Sequence, residues 1–199
     1  MKALLCAMLV AAGAAVLTWY WPATVPDFAS VRSVFTPSDA WLLDRSGTVL
    51  DSVRISRQLR RLQWVPLQDV SPALVSAIVS GEDRDFWTHG GVDLRNIGGA
   101  VRDQLLHHRR RGASTITMQL AGLLRPHHAT LGLRAWVWKV QQVRSARALE
   151  RNWSKQQILE AYLNLLGYQG ELQGIGAASW LLAGKTPAGL TLADSAALA

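Results

Sequence analysis

Residues 80–122 read SGEDRDFWTHGGVDLRNIGGAVRDQLLHHRRRGASTITMQLAG, and the fold has to be built around them. Just upstream, Leu74, Ile78 and Glu82 recur at i, i+4 and i+8 behind Ser71 and Pro72. That pattern predicts an amphipathic helix with Ser71 as its cap and Pro72 in its first turn. Glu82 then stands at the edge of the apolar stripe, where Gly81 loosens the helix. A carboxylate so placed is expected to be partly desolvated, which would raise its pKa toward the range useful to a general base. At the other end, Gly112-Ala-Ser-Thr-Ile-Thr is a small-residue turn rich in hydroxyls and free backbone N–H groups, the kind of segment that lines a phosphate or sugar site. A carboxylate facing a hydroxyl-rich loop across a His- and Arg-rich linker reads as a transferase site for an anionic substrate.

Composition agrees with an anionic partner. The chain has 199 residues, room for one domain and an appendage, and its 49% hydrophobic content suffices for a core. A net charge of +7 points to nucleic acid, a membrane surface or a phosphorylated substrate. The Trp count of 9 is high, and Trp serves membrane interfaces, carbohydrate faces and ordinary packing alike. Cys6 is the single cysteine, so no intrachain disulfide forms.

Residues 3–21 carry no charge and follow Lys2, long enough for a transmembrane helix. Trp19, Tyr20 and Trp21 suit an interfacial belt better than a signal-peptide cleavage site, so an uncleaved anchor over 1–21 is expected. Residues 22–40, with Pro22, Pro26 and Pro37, read as an extended linker, and 41–199 as the domain proper. Trp41 to Leu50 predicts a hairpin turning at Ser46-Gly47. Arg54, Arg57, Arg60 and Arg61 read as solvated surface charge or, more sharply, as contacts to lipid head groups beside the anchor. Leu94 to His107 should be helical. The run His107 to Arg111 lacks the aromatic interleaving and motifs of a nucleic-acid site. His107/His108 and His127/His128 are adjacent pairs without an acidic partner, so no metal is expected there.

Residues 133–151 predict a helix with Trp136, Val140 and Val143 toward the core and Lys139 and Gln142 on a second face. Ser154 and Gln157 form a capping box for a helix burying Ile158, Leu159, Tyr162, Leu163 and Leu166 and stopping at Gly167. Gly174-Ile-Gly176 should let a further helix pack closely. Most of the domain is therefore helical, with strands near its start.

The same residues carry a resemblance. Glu82-Asp83-Arg84-x-Phe86-x-x-His89-x-Gly91-Val92-Asp93 resembles the first motif of the peptidoglycan glycosyltransferases, glycosyltransferase family 51, and Gly112-x-Ser114-Thr115-Ile116-Thr117-Met118-Gln119 the second. Lys139-x-x-Gln142 with Ala148-Leu149-Glu150, then Lys155 to Asn164, then Gly174 to Trp180 are similar to the later motifs. In detail the chain is most similar to class A penicillin-binding proteins of the 1C type. The resemblance implies a mainly α, lysozyme-like glycosyltransferase domain with a small N-terminal β-hairpin and an N-terminal transmembrane helix, facing outward from the bacterial cytoplasmic membrane. It implies polymerisation of lipid II into glycan strands, with Glu82 as the base and release of undecaprenyl diphosphate with inversion. Ser114, Thr115 and Gln119 would bind the donor's sugar and diphosphate, with Gln142 beside them, and Arg134 and Lys139 would meet the leaving diphosphate's charge. Asp83, Arg84, Phe86 and His89 would shape the site, and Glu150 and Glu160 would be structural, within reach of Arg147, Arg151 or neighbouring turns. No cofactor is required and no residue is assigned to a metal, although a divalent cation, Mg or Mn, on the diphosphate is compatible. The implied partners are lipid II, the growing glycan chain, membrane lipids and other cell-wall synthesis proteins, with no nucleic acid.

The sequence departs from that family's pattern in three places. Gln142 stands where most members have a second essential Glu, and a Gln offers hydrogen bonds but no charge. The 1C-type proteins share this Gln. Gly122 replaces a basic residue, for which Arg125 one turn on is a candidate substitute, and Met118 stands where many members have Gln. The chain stops inside a predicted helix at Ala199, so the transpeptidase domain of class A proteins, and penicillin binding with it, is not expected. The rival readings are a silent lipid II-binding or cell-wall scaffold module, which Gln142 and Gly122 would allow, and a hydrolase, which needs a second carboxyl beside a water site.

Overall fold

The computed structural model describes residues 23–56, 58–93, 114–125 and 133–199, the side chains of 133–136 excepted. The expected anchor over 1–21, the helix at 94–107, the basic run at 107–111 and both His pairs lie outside these residues. Among the described residues no helix is long and apolar enough to cross a membrane.

The core is gathered around a short helix whose sequence, ITMQLAGL, is apolar almost all round. This is α3 (Ile116–Leu123), and Ile116, Thr117, Met118, Leu120, Ala121 and Gly122 are all buried. A helix without a polar face must be enclosed. Two longer helices, α4 (Leu133–Asn152) and α5 (Lys155–Leu165), pack directly on it, and α2 (Pro72–Glu82) adds side chains to the same core. Leu74 and Ile78 from α2, Leu149 from α4, and Ile158, Leu159, Tyr162 and Leu163 from α5 are essentially inaccessible to solvent. Each such side chain contributes about 1.5–3 kcal/mol of burial free energy. The expected capping box is present: the Ser154 hydroxyl accepts from Gln157 N–H while the Gln157 side chain accepts from Ser154 N–H. The helix ends at Leu165, with Leu166 extended, rather than on a left-handed Gly167.

Two helix faces differ from expectation. Val140 is 45% exposed, and α4 instead buries Gln142, Ser145, Ala146 and Leu149. Small residues let α4 approach α3 closely, so they, rather than the larger Val, face the core. Ser71 occupies the cap position of α2, but its hydroxyl donates to Leu190 O at 2.9 Å and gives no side-chain cap. That bond ties the start of α2 to the C-terminal stretch, where α6 (Ile175–Ala183) and α7 (Leu192–Leu198) complete the helical layer.

The 22–40 stretch is not an extended linker. Asp27 accepts from Ser30 N–H at 2.8 Å and caps α1 (Phe28–Ser33), which buries Val31. The Phe28 ring meets Trp64 and Trp153 edge to face. A helix this short forms because its apolar side has a core to cover. The predicted hairpin is β1 (Asp39–Leu43) paired antiparallel with β2 (Val49–Arg54). A two-residue parallel pairing joins β3 (Arg60–Arg61) to β4 (Leu172–Gln173). The arginines here are not simply solvated charge. Arg54 pairs with Glu171 at 2.8 Å, Arg60 with the buried Asp39 at 3.4 Å, and Arg61 stacks over Phe35 and donates to Gln173. They fasten the hairpin to the helical layer, which leaves the lipid-contact reading without support; Arg57 lies outside the described residues.

Candidate active site

Glu82 and Asp83 are neighbours in sequence with opposite surroundings. Glu82 is the last residue of α2 and is solvent-exposed. The partial burial expected of it is not found, because the apolar stripe of α2 ends at Ile78 and Val79. Asp83 leaves the helix in an extended conformation, φ −160°, and turns its carboxylate inward, where it is 5% exposed.

That carboxylate organises the ground beneath the site. It accepts from the Ile116 N–H at 2.9 Å, one of the orphan donors at the start of α3. It also receives His89 Nε2, 2.9 Å from both oxygens. The Gly91 N–H donates to His89 Nδ1 at 3.0 Å, which puts the imidazole proton on Nε2 and aims it at Asp83. Gly91 has φ +88°, and a Cβ on it would lie 2.9 Å from Ala146 O, so only glycine fits. Thr115 donates to Gly91 O at 2.7 Å and accepts from Met118 N–H at 3.1 Å. Its hydroxyl is therefore spent capping α3, and at 3% exposure it does not face a ligand as expected.

Glu150 extends this base, accepting from Thr117 Oγ1 at 2.6 Å and from Lys155 Nζ at 2.8 Å. Lys155 also donates to His89 O at 2.7 Å and sits over the Phe86 ring. Phe86 is fully buried. Glu160 accepts from Trp64 Nε1 and Leu67 N–H, each at 2.8 Å. Both glutamates are held by these partners, on neighbouring elements of the fold. Arg84 is exposed and donates to Ser80 O at 3.3 Å, closing the end of α2.

Above this base, polar groups gather at two places along α3, at its N-terminus and at Gln119. Around its N-terminus, Lys139 Nζ donates to Ser114 Oγ at 2.7 Å and to Gln142 Oε1 at 3.1 Å. Burial holds the Lys139 pKa below the usual lysine value. Both acceptors are neutral, so the ammonium charge is not cancelled by them. This donor set does not suit a divalent cation, and among the described residues no group of three His, Cys, Asp or Glu could hold one. The two departures at 122 and 142 turn out to be in contact. A Cβ on Gly122 would lie 2.9 Å from Gln142 Nε2 and 3.1 Å from the Trp138 ring, so the missing side chain is what seats the carboxamide. Arg125 reaches Gln141 at 3.3 Å rather than Lys139 or Gln142. Met118 is a core side chain.

One turn along α3, Gln119 Nε2 donates to Glu82 Oε2 at 2.7 Å. The Tyr162 hydroxyl donates to Gln119 Oε1 at 3.0 Å. Burial, and secondarily the negative charge of Glu82, raises the Tyr162 pKa well above the ordinary phenol value, so the hydroxyl keeps its proton. Sequence reading placed Tyr162 on the core face of its helix but missed its reach to Gln119; no pattern at 162 signals a partner 43 residues away. The structure thus joins Glu82 at the end of α2 with Gln119 on α3, and Ser114, just before α3, with Lys139 and Gln142 on α4. The Arg134 side chain is outside the description.

A helical layer with one exposed carboxylate held by an amide, next to a half-buried ammonium on neutral acceptors, defines a transferase-like face. The chain belongs to the transglycosylase family, whose model matches residues 46–199. It is similar to penicillin-binding protein 1C of Escherichia coli K12, 44% identical over 136 residues that cover 68% of this chain and 17% of that protein. Penicillin-binding protein 2D of Bacillus subtilis 168 is 36% identical over 176 residues, covering 88% of this chain and 24% of that protein. The biosynthetic peptidoglycan transglycosylase of Mannheimia succiniciproducens is 36% identical over 136 residues, 68% of this chain and 54% of that protein. The chain thus spans well under two thirds of each of these relatives.

Proposed function

We propose that this chain is the lysozyme-like glycosyltransferase domain of a membrane-anchored enzyme of the penicillin-binding protein 1C kind, which polymerises lipid II at the outer face of the cytoplasmic membrane. The observation that carries the reading is the pairing of an exposed base with an uncancelled cation along α3. Gln119 occupies Glu82 Oε2, which leaves Oε1 to take a proton. In the proposed step, Glu82 Oε1 accepts the proton of the acceptor's 4-hydroxyl as that oxygen attacks the anomeric carbon of the glycan donor. The bond from that carbon to the diphosphate oxygen breaks, undecaprenyl diphosphate departs, and the configuration inverts. The charge gathering on the leaving oxygens is met by Lys139, half-buried and so electrostatically stronger than a solvated lysine, and by Arg134 from the same helix. Ser114, Gln119 and Gln142 orient the donor; Asp83, His89, Phe86 and Thr115 hold α3 in place beneath them. The anchor at 1–21 delivers the domain to its lipid-linked substrates, the growing glycan and lipid II.

A hydrolase reading fits less well. Of the carboxylates that build the base of the site, Asp83 is bound to Ile116 and His89, and Glu150 to Thr117 and Lys155. Neither is free to activate a water. The test is polymerisation of labelled lipid II in detergent by the intact chain and by Glu82→Gln. Polymer from the first and none from the second is expected. Tight lipid II binding without polymer from either would instead identify a silent binding module.

A further inference from the structure

The line of hydrogen bonds that ends at Glu82 starts in the core. Tyr162 is 1% exposed, and its hydroxyl points at Gln119 rather than into the aliphatic side chains around it. A carboxamide is ambiguous, since its oxygen and nitrogen ends are nearly the same shape, and it has to be told which way to face. Here both neighbours take part: the Glu82 carboxylate only accepts and so takes Nε2, and the Tyr162 hydroxyl, by donating to Oε1, holds the amide in that orientation from the core side. Tyr168 lies in the same place, its hydroxyl buried without a hydrogen-bond partner and its pKa raised by burial and by Tyr162.

We propose that Tyr162 is a positioning residue for Glu82, acting through Gln119: its hydroxyl fixes the carboxamide so that one carboxylate oxygen is clamped and the other is presented to the acceptor hydroxyl. The proposal rests on the reading of Glu82 as the base. Its consequence is a base whose free oxygen is aimed from the core. An amide N–H on Oε2 holds the carboxylate in place, whereas a flipped amide would set a carbonyl oxygen against it. The charged and titratable groups near Glu82 are Asp83, Arg84 and Asp85, which follow it in the chain, and Tyr162 from α5 with Tyr168 behind it. Asp83 is committed to Ile116 and His89, and Lys139 to Ser114 and Gln142, so Gln119 is the variable contact.

The experiment uses the full chain in detergent and compares wild type, Tyr162→Phe, Gln119→Ala and the double variant. Tyr162→Phe should lower kcat about tenfold with little change in KM. In the Gln119→Ala background, Tyr162→Phe should add nothing, because its path to Glu82 is gone. Multiplicative losses, or a Tyr162→Phe effect confined to KM, would overturn the proposal. The 13C chemical shift of the Glu82 carboxyl should move in Tyr162→Phe only where Gln119 is present, which reads the same coupling without turnover. It separates failure of this inference from failure of the functional reading, which Glu82→Gln alone decides. Should Tyr162→Phe not fold, the wild-type hydroxyl answers: its proton, buried and donated to Gln119 Oε1, should exchange slowly with solvent and show a nuclear Overhauser contact to the Gln119 side chain, and a fast-exchanging proton without that contact would sink the idea.

Discussion

Glu82 and Asp83 share a chemistry and one peptide bond, yet one is exposed and the other is 5% exposed. The inward carboxylate holds the N-terminus of α3 and the His89 loop through charge-assisted hydrogen bonds in a dry place, where such bonds are strong and their loss is costly. The outward one makes a single bond to Gln119 and keeps an oxygen for other use. The same division runs through the site: Thr115, Glu150 and Lys155 face down and build, while Ser114, Gln119 and Lys139 face the open side. A rigid lower layer is what allows an upper layer of lightly held groups to stay aligned.

The largest effect should come from splitting that pair. Glu82→Gln is expected to lower polymerisation by about a hundredfold or more with the melting temperature unchanged. Asp83→Asn should cost about 2–3 kcal/mol, since it turns an amide N–H₂ or an uncharged oxygen toward the His89 and Ile116 donors. In a chain of this size that is a fall of roughly 4–12 °C, readable by circular dichroism. If both variants lost activity while keeping their stability, the lower layer would be catalytic rather than structural and the division would collapse.

Next is the cation. Lys139→Met should reduce kcat by about 10–100-fold, in the range found when a preorganised charge-stabilising donor is removed. Burial lowers the Lys139 pKa, so activity in the wild type should begin to fall on the alkaline side below the usual lysine range. The stability sign is opposite to that of a well-paired lysine. A folded-state pKa below the unfolded value penalises folding while the group is charged, and the penalty is relieved as pH rises through the folded pKa. Thermal melts across pH 8 to 11, about the range where lysines discharge, should therefore show wild type gaining on Lys139→Met as pH rises. An unchanged gap would mean that the ammonium is better paired than Ser114 and Gln142 make it.

Much of the fold, and the Lys139–Gln142 part of the site, was legible in the sequence because it is local. The Ser154–Gln157 capping box, the apolar stripe at Leu74 and Ile78, the hairpin before Val49 and the shared face of Lys139 and Gln142 all follow from spacing along one element. What was not legible depends on partners far away. Ser71 gave up its cap for Leu190, α1 exists because Phe28 has Trp64 and Trp153 to lean on, and Thr115 looks inward because Gly91 presents a carbonyl there. The exposure of Glu82 was misjudged for a related reason: a stripe read along the helix does not say where the neighbouring element stops. The link from Tyr162 to Glu82 needs three elements at once and leaves no trace in any one of them.

The smallest effect, and the sharpest probe of how the two layers meet, is at Gly122. This residue belongs to the buried helix but touches the upper layer, where an added Cβ would press on Gln142 Nε2 at 2.9 Å and the Trp138 ring at 3.1 Å. Gly122→Ala would gain about 1 kcal/mol of helix propensity. Both contacts are the ends of side chains, which can shift by a few tenths of an ångström, so the net change in stability should be small. The cost should appear in function instead. Displacing the Gln142 carboxamide takes an acceptor from Lys139, and polymerisation should fall severalfold while the melting temperature holds. In a Gln142→Ala background the same change at 122 should be silent, because the crowded amide is gone. A loss that persists there would trace to Trp138, and Gly122 would then belong to the packing of α3 against α4 rather than to the cation it helps to aim.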